Sequence, residues 1–312
     1  MRFKQHILII DHVHPVFLDL LQNEVVVYKP DITDFQLALA LESATVLIIR
    51  SKLTLSKEWI DQAPKLQYIG RLGSGMDNID VAYAESKGIV CKNAPEGNRN
   101  AVAEQTVGML LSLLANVPKA SAEVATGIWD RNGNQGMELQ NLTVGIIGYG
   151  HVGSRLADIL APFGCRILAY DKFISGFGNK NVQEVTLEVL QKEADIVSLH
   201  VPLNEYSKEM INAKFVEEMR KPFYLLNLSR GKVVNISNLI RGLETKKIAG
   251  VGLDVLPNEK LDSLTLEQQK EIKYLSNSQR VILTPHIGGL TKDSYRKLAE
   301  VLGEKVLQWM NI

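Results

Sequence analysis

The 312 residues include only two cysteines, Cys91 and Cys165, too few for a disulfide framework or a cysteine-built zinc site. Both stand in apolar runs, so buried free thiols in a reducing compartment are expected, with no bound metal. Neither sign of charge is in excess. Lys plus Arg and Asp plus Glu both number 35, so no global field draws the chain to nucleic acid or to an anionic membrane. Any anion must be held by a local cluster. Long apolar runs are missing as well: no window approaches the roughly 18 residues of a membrane span. The opening MRFKQHILIID has too short an apolar stretch for a signal peptide and places an acid where cleavage would fall. A cytoplasmic location is expected. Low-complexity segments and short-period repeats are also absent.

What the chain does have is 46% hydrophobic residues over a length greater than one core usually fills, so two domains are expected. Residues 143–171, TVGIIGYGHVGSRLADILAPFGCRILAYD, are the most informative stretch. An apolar, β-branched run ends at Gly148, Gly150 and Gly153, which supply G-x-G-x-x-G. The three glycines give a tight turn, close approach of backbone to a pyrophosphate, and close packing of helix on strand. His151 and Val152 open the helix that follows. Val152, Leu156, Ile159, Leu160 and Phe163 recur at helical spacing, so a helix starts at the glycines with its positive end toward the phosphates. The next apolar run ends at Asp171, 18 residues beyond Gly153, where a carboxylate bonds ribose hydroxyls and repels a 2′-phosphate. The cofactor expected is NAD rather than NADP.

The alternation of strand and helix continues. Strands are predicted over 196–202, 223–229, 249–255 and 281–286, making six with the two of the glycine unit. Helices are predicted near 186–193, 212–220 and 237–245. The first hundred residues form a second α/β set, with strands over 7–11, 25–28, 46–50, 67–70 and 89–93. A long helix over 98–116 leads from one set to the other, and a last helix over about 291–310 cannot belong to a sheet already finished at Thr284. The predicted fold is α/β: two doubly wound parallel-sheet domains, a Rossmann NAD-binding domain (98–286) inserted in a flavodoxin-like substrate domain (1–97 and 287–312). Two chain crossings make a hinge, and a hinge permits closure over substrate.

Ligands of open α/β sheets sit beyond the carboxyl ends of the strands. Polar residues just past those ends are Arg230 in SRGKVV, Asp254 in GLDV, Glu259 in LPNE and His286 in TPHIGG. A guanidinium suits bidentate grip of a carboxylate. A carboxylate beside an imidazole fixes its tautomer and makes it a usable proton donor and acceptor near neutral pH. Asp254 read alone serves equally as a turn residue or as a contact to the cofactor amide.

These motifs, with RLGSGMDNID (71–80), NAPEGNRNAVAEQTVGMLL (93–111), SLHVPL (198–203) and NLSRGKVV (227–234), span nearly the whole chain. In this ordered set the chain resembles the D-isomer-specific 2-hydroxyacid dehydrogenases, phosphoglycerate dehydrogenases in particular. The resemblance implies that Arg230, Glu259 and His286 are the catalytic trio. It implies that Ser74 and Gly75 hold the substrate carboxylate through backbone amides, with Asn98 nearby. Asp254 would meet the nicotinamide amide, Thr106 the nicotinamide side, and His200, Val201, Pro202 and Gly288 would line the cofactor. Arg50, Arg71 and Arg131 match places that hold a substrate phosphate, Arg131 reaching over from the partner of a homodimer exchanged through residues 101–129. The implied reaction is oxidation of 3-phospho-D-glycerate to 3-phosphohydroxypyruvate, at the start of serine synthesis. A glyoxylate or hydroxypyruvate reductase, another dehydrogenase of the family, and an NAD-sensing corepressor-like binding protein are the alternatives. Two departures stand out. Lys260 follows Glu259 where the family has proline, and residues 261–279 make a long polar insert. The chain also ends at Ile312, so serine feedback through a C-terminal regulatory domain is not expected.

Overall fold

The structure is a computed structural model and describes residues 5–311. It divides into two compact units, one running through Arg99 and resuming at Leu290, the other Asn100–Gly289.

The first unit builds a parallel sheet from β1 (His6–Ile9), β2 (Val25–Tyr28), β3 (Val46–Ile49), β4 (Tyr68–Arg71) and β5 (Val90–Asn93), in the order β2-β1-β3-β4-β5. That is the flavodoxin-like order, which reverses between β1 and β3. Its helices are α1 (Pro15–Leu20), α2 (Asp34–Leu41), α3 (Lys57–Asp61) and α4 (Val81–Ser86), with α5 (Pro95–Leu114) beginning in this unit. Leu37, Leu41, Ile60 and Ala84 cover one face of the sheet, while Phe17 and Leu21 join Leu298, Leu302 and Val306 of the final helix on the other. A sheet buried on both faces needs continuous apolar strands, and VLII of β3 is buried at every position.

The second unit holds α6 (Val117–Ala125), β6 (Thr143–Ile147), α7 (His151–Leu160), β7 (Arg166–Tyr170), β8 (Gln183–Glu184), α8 (Leu187–Glu193), β9 (Ile196–Leu199), α9 (Ala213–Glu218), β10 (Phe223–Asn227), α10 (Ile236–Glu244), β11 (Ile248–Leu253), α11 (Leu266–Asn277) and β12 (Val281–Leu283). The final helix, α12 (Lys292–Asn311), belongs to the first unit. The second sheet is parallel throughout, ordered β12-β11-β10-β9-β6-β7-β8. Counted along this unit, it is the Rossmann order with a seventh strand added. α5 and α7 cover one face, and α8, α9, α10 and α11 the other.

Where the elements differ from expectation, the reasons are local. Seven strands form instead of six because β8 is a two-residue, fully exposed edge strand with no apolar pattern to announce it. The helix expected over 98–116 starts at Pro95, whose missing N–H suits a first turn, and stops at Leu114. Asn116 then takes a left-handed φ of 53° and a new helix, α6, begins at Val117. The insert after Glu259 is not irregular: Thr265 and Gln268 form a capping box that starts α11, and Leu275 anchors that helix in the core. Strands predicted to reach Pro202, Ser229, Val255 and His286 end two or three residues early, since those residues leave the ladder to make the loops of the site.

One core group is unusual. The Tyr68 hydroxyl is buried without a hydrogen-bond partner, its ring 5.0 Å from that of Trp309. Removing an unpaired buried hydroxyl saves its desolvation cost, so Tyr68→Phe is expected to stabilise the protein by about 1 kcal/mol in denaturant unfolding. A loss of stability of that size would mean that the hydroxyl is satisfied after all.

Candidate active site

Strand register sets the site of the second unit. Ile147 of β6 lies level with Tyr170 of β7 and Leu199 of β9, so Gly148, Asp171 and His200 leave the sheet at one edge. Leu199, Asn227, Leu253 and Leu283 are likewise in register, which brings the loops carrying Arg230, Asp254, Glu259 and His286 out on the same side.

The three glycines of the motif have separate tasks. Gly148 has φ 93°, and a Cβ there would stand 2.4 Å from the carbonyl oxygen of His200. A Cβ on Gly153 would stand 2.0 Å from the carbonyl oxygen of Gly148, so helix and turn touch backbone to backbone. At Gly150, the N-cap of α7, a Cβ would meet nothing within 4 Å. Two glycines are thus required by the protein's own packing, and the third leaves open space at a helix N-terminus, where a pyrophosphate fits. Asp171 fixes the neighbouring turn: one carboxylate oxygen accepts from the amide of Tyr149 at 2.8 Å, the other from those of Phe173 and Ile174 at 2.9 and 3.0 Å. A carboxylate offers about four acceptor positions, so capacity remains for ribose. The Lys172 ammonium rests 4.0 Å over the Tyr206 ring. Beside it, Phe173 and Tyr206 pack edge to face and are largely exposed, an apolar surface suited to a flat base.

His151 is exposed at the first turn of α7, Val152 packs on the core below it, and Val201 lies against Gly148. The Pro202 carbonyl accepts from Ser207, which folds the following turn. Thr106 is wholly buried in α5 and donates its hydroxyl to the Val102 carbonyl at 2.7 Å. His200 shares a hydrogen bond with the buried Ser198 hydroxyl at 2.8 Å, and burial pushes its pKa down to about 4. An imidazole depressed below its unfolded value near 6.5 binds its proton more readily when the chain unfolds. The stability it contributes is therefore present above pH 6.5 and lost as pH falls toward 4, by at most about 3 kcal/mol. Denaturant unfolding of His200→Gln should show a smaller acid loss over that window than the parent. Equal losses would remove His200 from the account.

His286 and Glu259 meet: Nδ1 of the imidazole lies 2.9 Å from Oε2 of the carboxylate, both side chains about half exposed. The backbone at His286 is left-handed, φ 54°, a conformation that costs a side-chain-bearing residue on the order of 1 kcal/mol or more. Asp254 holds it there. Only 1% exposed, its carboxylate accepts from the Ile287 and Gly288 amides at 2.9 and 2.7 Å, from the Thr284 hydroxyl at 2.5 Å and from the Gln105 amide at 3.2 Å. The His286 amide donates to the Asp254 carbonyl at 2.8 Å. Arg230 stands in the loop after β10, where Asn227 ties Ser229 and the Arg230 carbonyl, and its guanidinium donates to the Ser229 carbonyl at 2.7 Å. That loop lies directly on the next one, for a Cβ on Gly231 would fall 2.0 Å from the Leu256 carbonyl.

In the first unit, the sheet's carboxyl edge gathers Asp11, Arg50, Arg71 and the loop of Ser74 and Gly75. Asp11 accepts from the Arg50 amide at 2.6 Å, Arg71 Nε donates to the Arg50 carbonyl at 3.2 Å, and Ser74 donates to the Asn98 side chain. Tyr295 sits under the Arg50 guanidinium, 5.5 Å away, with His14 edge-on to the same ring. Arg131 belongs to the second unit, on an exposed turn that Asn134 and Lys119 fasten to Glu123 of α6. Gln105, His14 and Tyr295 are polar members of these clusters that the sequence reading passed over. Gln105 and Tyr295 lie within helical patterns, and His14 is an N-cap without a motif, so no local signal marks them.

Residues 107–288 match the family model described as D-isomer specific 2-hydroxyacid dehydrogenase, NAD binding domain. The chain belongs to that family. Among curated relatives it is 32% identical over 303 residues to the D-3-phosphoglycerate dehydrogenase of Synechocystis, covering 96% of this chain and 53% of that protein. With its counterpart from Haemophilus influenzae it shares 35% identity over 285 residues, covering 89% and 67%. The chain thus spans about half the length of some curated relatives and two thirds of others. Among solved structures, a D-lactate dehydrogenase from Aquifex aeolicus complexed with NAD and lactic acid superposes with a TM-score of 0.85 at 27% identity, covering 98% and 96%. The matched segment contains the glycine turn and Asp171 described above. Among the described residues, no helix is long and apolar enough to cross a membrane.

Proposed function

We propose that the protein is an NAD-dependent dehydrogenase that oxidises 3-phospho-D-glycerate to 3-phosphohydroxypyruvate, the step that opens serine synthesis. The observation that carries the dehydrogenase reading is the His286–Glu259 contact at 2.9 Å on an edge shared with the glycine turn. With the carboxylate on Nδ1–H, the neutral tautomer leaves Nε2 with a lone pair for the substrate hydroxyl. Nε2 takes that proton during oxidation and returns it during reduction, and Glu259 stabilises the imidazolium formed between. NAD, when bound, accepts the hydride from the substrate carbon. Arg230 grips the carboxylate and polarises the developing carbonyl. In the first unit, Ser74 and Gly75 offer backbone amides to a substrate carboxylate, with Asn98 keeping Ser74 in place. Gly148, Gly150, Gly153, His151 and Val152 seat the pyrophosphate; Asp171 takes the ribose; Thr106, His200, Val201, Pro202, Asp254 and Gly288 line the nicotinamide half. NAD is preferred to NADP because Asp171 would repel a 2′-phosphate and Lys172 is engaged with Tyr206.

The phosphate reading rests on Arg50 and Arg71, adjacent at one sheet edge, and on the relatives named for phosphoglycerate. Arg131 completes the site from a second copy in a homodimer. Support for that assembly lies in the exposed apolar residues beside it: Val124, Ile128 and Trp129, the last 80% exposed. The free thiols of Cys91 and Cys165 suit a cytoplasmic enzyme. An unphosphorylated D-hydroxyacid is the second reading, favoured by the likeness to the D-lactate dehydrogenase. Steady-state kinetics separates the two. Arg50→Gln and Arg71→Gln should each raise KM for 3-phosphoglycerate about tenfold or more and leave KM for D-lactate nearly unchanged. Equal effects on both acids would contradict the phosphate role, and full activity of a monomer in sedimentation would contradict that of Arg131.

A further inference from the structure

At the carboxyl edge of the first sheet, the backbone of Arg50 is pinned from both sides. Its amide donates to the Asp11 carboxylate at 2.6 Å, and its carbonyl accepts from Arg71 Nε at 3.2 Å and from the Asn78 side chain at 3.3 Å. The guanidinium is treated differently. Partly buried, it has no hydrogen-bond acceptor and no carboxylate partner among the described residues; its contact is the Tyr295 ring, whose centroid lies 5.5 Å from Cζ. An aromatic face holds a cation without occupying its N–H groups, so the whole donor fork stays open to a ligand.

The ring is itself braced. Tyr295 stands in the first turn of α12, its amide donating to the Thr291 carbonyl at 3.0 Å, and Thr291 and Ser294 exchange amide-to-hydroxyl bonds at 2.9 Å across that turn. His14 packs edge to face on the phenol, with centroids 5.7 Å apart and planes at 70°. The imidazole is anchored in turn, because its Nδ1 accepts from the Val16 amide at 3.3 Å as the N-cap of α1. The neutral tautomer with its proton on Nε2 is the one that makes this cap. Cap, imidazole, phenol and guanidinium thus form a series in which each member fixes the next.

Such a series answers a requirement of phosphate binding. A free arginine side chain carries about 2 kcal/mol of rotamer entropy, and a guanidinium already laid on a ring has given up part of it before a ligand arrives. Bidentate grip also needs the planar fork at a set orientation. Arg71 is oriented by another device, its Nε bond to the Arg50 carbonyl.

We propose that Tyr295, braced by His14, is a positioning residue that sets the protein's affinity for a phosphorylated substrate by holding the Arg50 guanidinium with its donors open. The ligand rests on the phosphate reading; the hold of the ring on Arg50 does not. Calorimetric titration and steady-state kinetics of the full chain with 3-phospho-D-glycerate and D-glycerate, which differ only in the phosphate, test it. Tyr295→Leu removes the aromatic face and should raise both Kd and KM for 3-phosphoglycerate about three- to tenfold, with kcat and the KM for D-glycerate within about twofold of the parent. Tyr295→Phe keeps the face and should bind 3-phosphoglycerate as the parent does. His14→Asn keeps a capping acceptor but removes the brace, so a smaller rise than that of Tyr295→Leu is expected. In an Arg50→Gln background Tyr295→Leu should add nothing, because it acts through the guanidinium. Full additivity of those two substitutions, or equal losses for both acids, overturns the proposal. A parent that prefers 3-phosphoglycerate while Tyr295→Leu binds it equally well overturns the positioning role alone. A parent indifferent to the phosphate removes the phosphate reading and this role with it.

Discussion

His286→Gln is expected to lower kcat by about 10² to 10⁴-fold while NAD still binds, because in the proposed mechanism the variant loses the group that exchanges the substrate proton and leaves the glycine turn untouched. The loss should fall on kcat and kcat/KM together, as for an interaction made in the transition state. Glu259→Gln keeps a hydrogen-bond acceptor for Nδ1 but no charge to stabilise the imidazolium. A smaller loss of turnover and a displaced pH profile are expected of it. Backbone strain supplies a control that a merely structural histidine would also pass: His286 has φ 54°, so His286→Gly should unfold at higher denaturant concentration than His286→Ala. Full activity of His286→Gln would remove the proton-transfer role outright.

The second large effect is expected at Asp254. Its carboxylate is the shared acceptor of the Ile287 and Gly288 amides, the Thr284 hydroxyl and the Gln105 side chain. Asp254→Ala leaves the two amides and the Thr284 hydroxyl without this acceptor where exposure is 1%, while Gln105 keeps its bond to the Thr284 hydroxyl at 3.0 Å, and each unmet donor costs about 1 to 3 kcal/mol unless water enters. A destabilisation of about 3 to 5 kcal/mol is expected, close to that of breaking a buried charged network. Turnover should fall as well, since the turn that imposes a left-handed backbone on His286 is no longer held. Asp254→Asn keeps one oxygen for the donors on Oδ1 but sets an NH₂ group against the Gly288 amide, so an intermediate loss is expected. Gln105→Leu removes a single donor and should cost about 1 kcal/mol. Urea unfolding of the three variants gives this ranking, and equal stability of Asp254→Ala and the parent would show that the network contributes nothing.

Much of the fold is legible in the sequence, because strands buried on both faces read as unbroken apolar runs and the helices between them keep a 3.6-residue period. VLII of β3 and FYLLN of β10 are of that kind. Legibility fails where burial is not what forms the element. β8 is exposed and two residues long, and α11 is a polar helix started by a capping box and anchored by Leu275. The glycine turn is readable because each glycine answers a steric demand, two of them visible as backbone contacts closer than any Cβ tolerates. The polar residues beyond the strand ends are readable in position but not in pairing. Nothing in the 27 residues from Glu259 to His286 says that the two side chains meet; the register of β11 with β12 and the Asp254 network bring them together. Gln105 is invisible for a related reason: its role lies in a contact 149 residues away in sequence.

The central claim is that the Glu259–His286 pair moves a proton while a D-2-hydroxyacid reduces NAD. The most direct test follows NADH absorbance with 3-phospho-D-glycerate, D-lactate and their L-isomers, using the parent protein and His286→Gln. The account predicts NADH formation with D-acids alone, fastest with 3-phosphoglycerate, and its loss in the variant. A protein that binds NAD but reduces it with none of the D-acids, or equally well with both isomers, would contradict it.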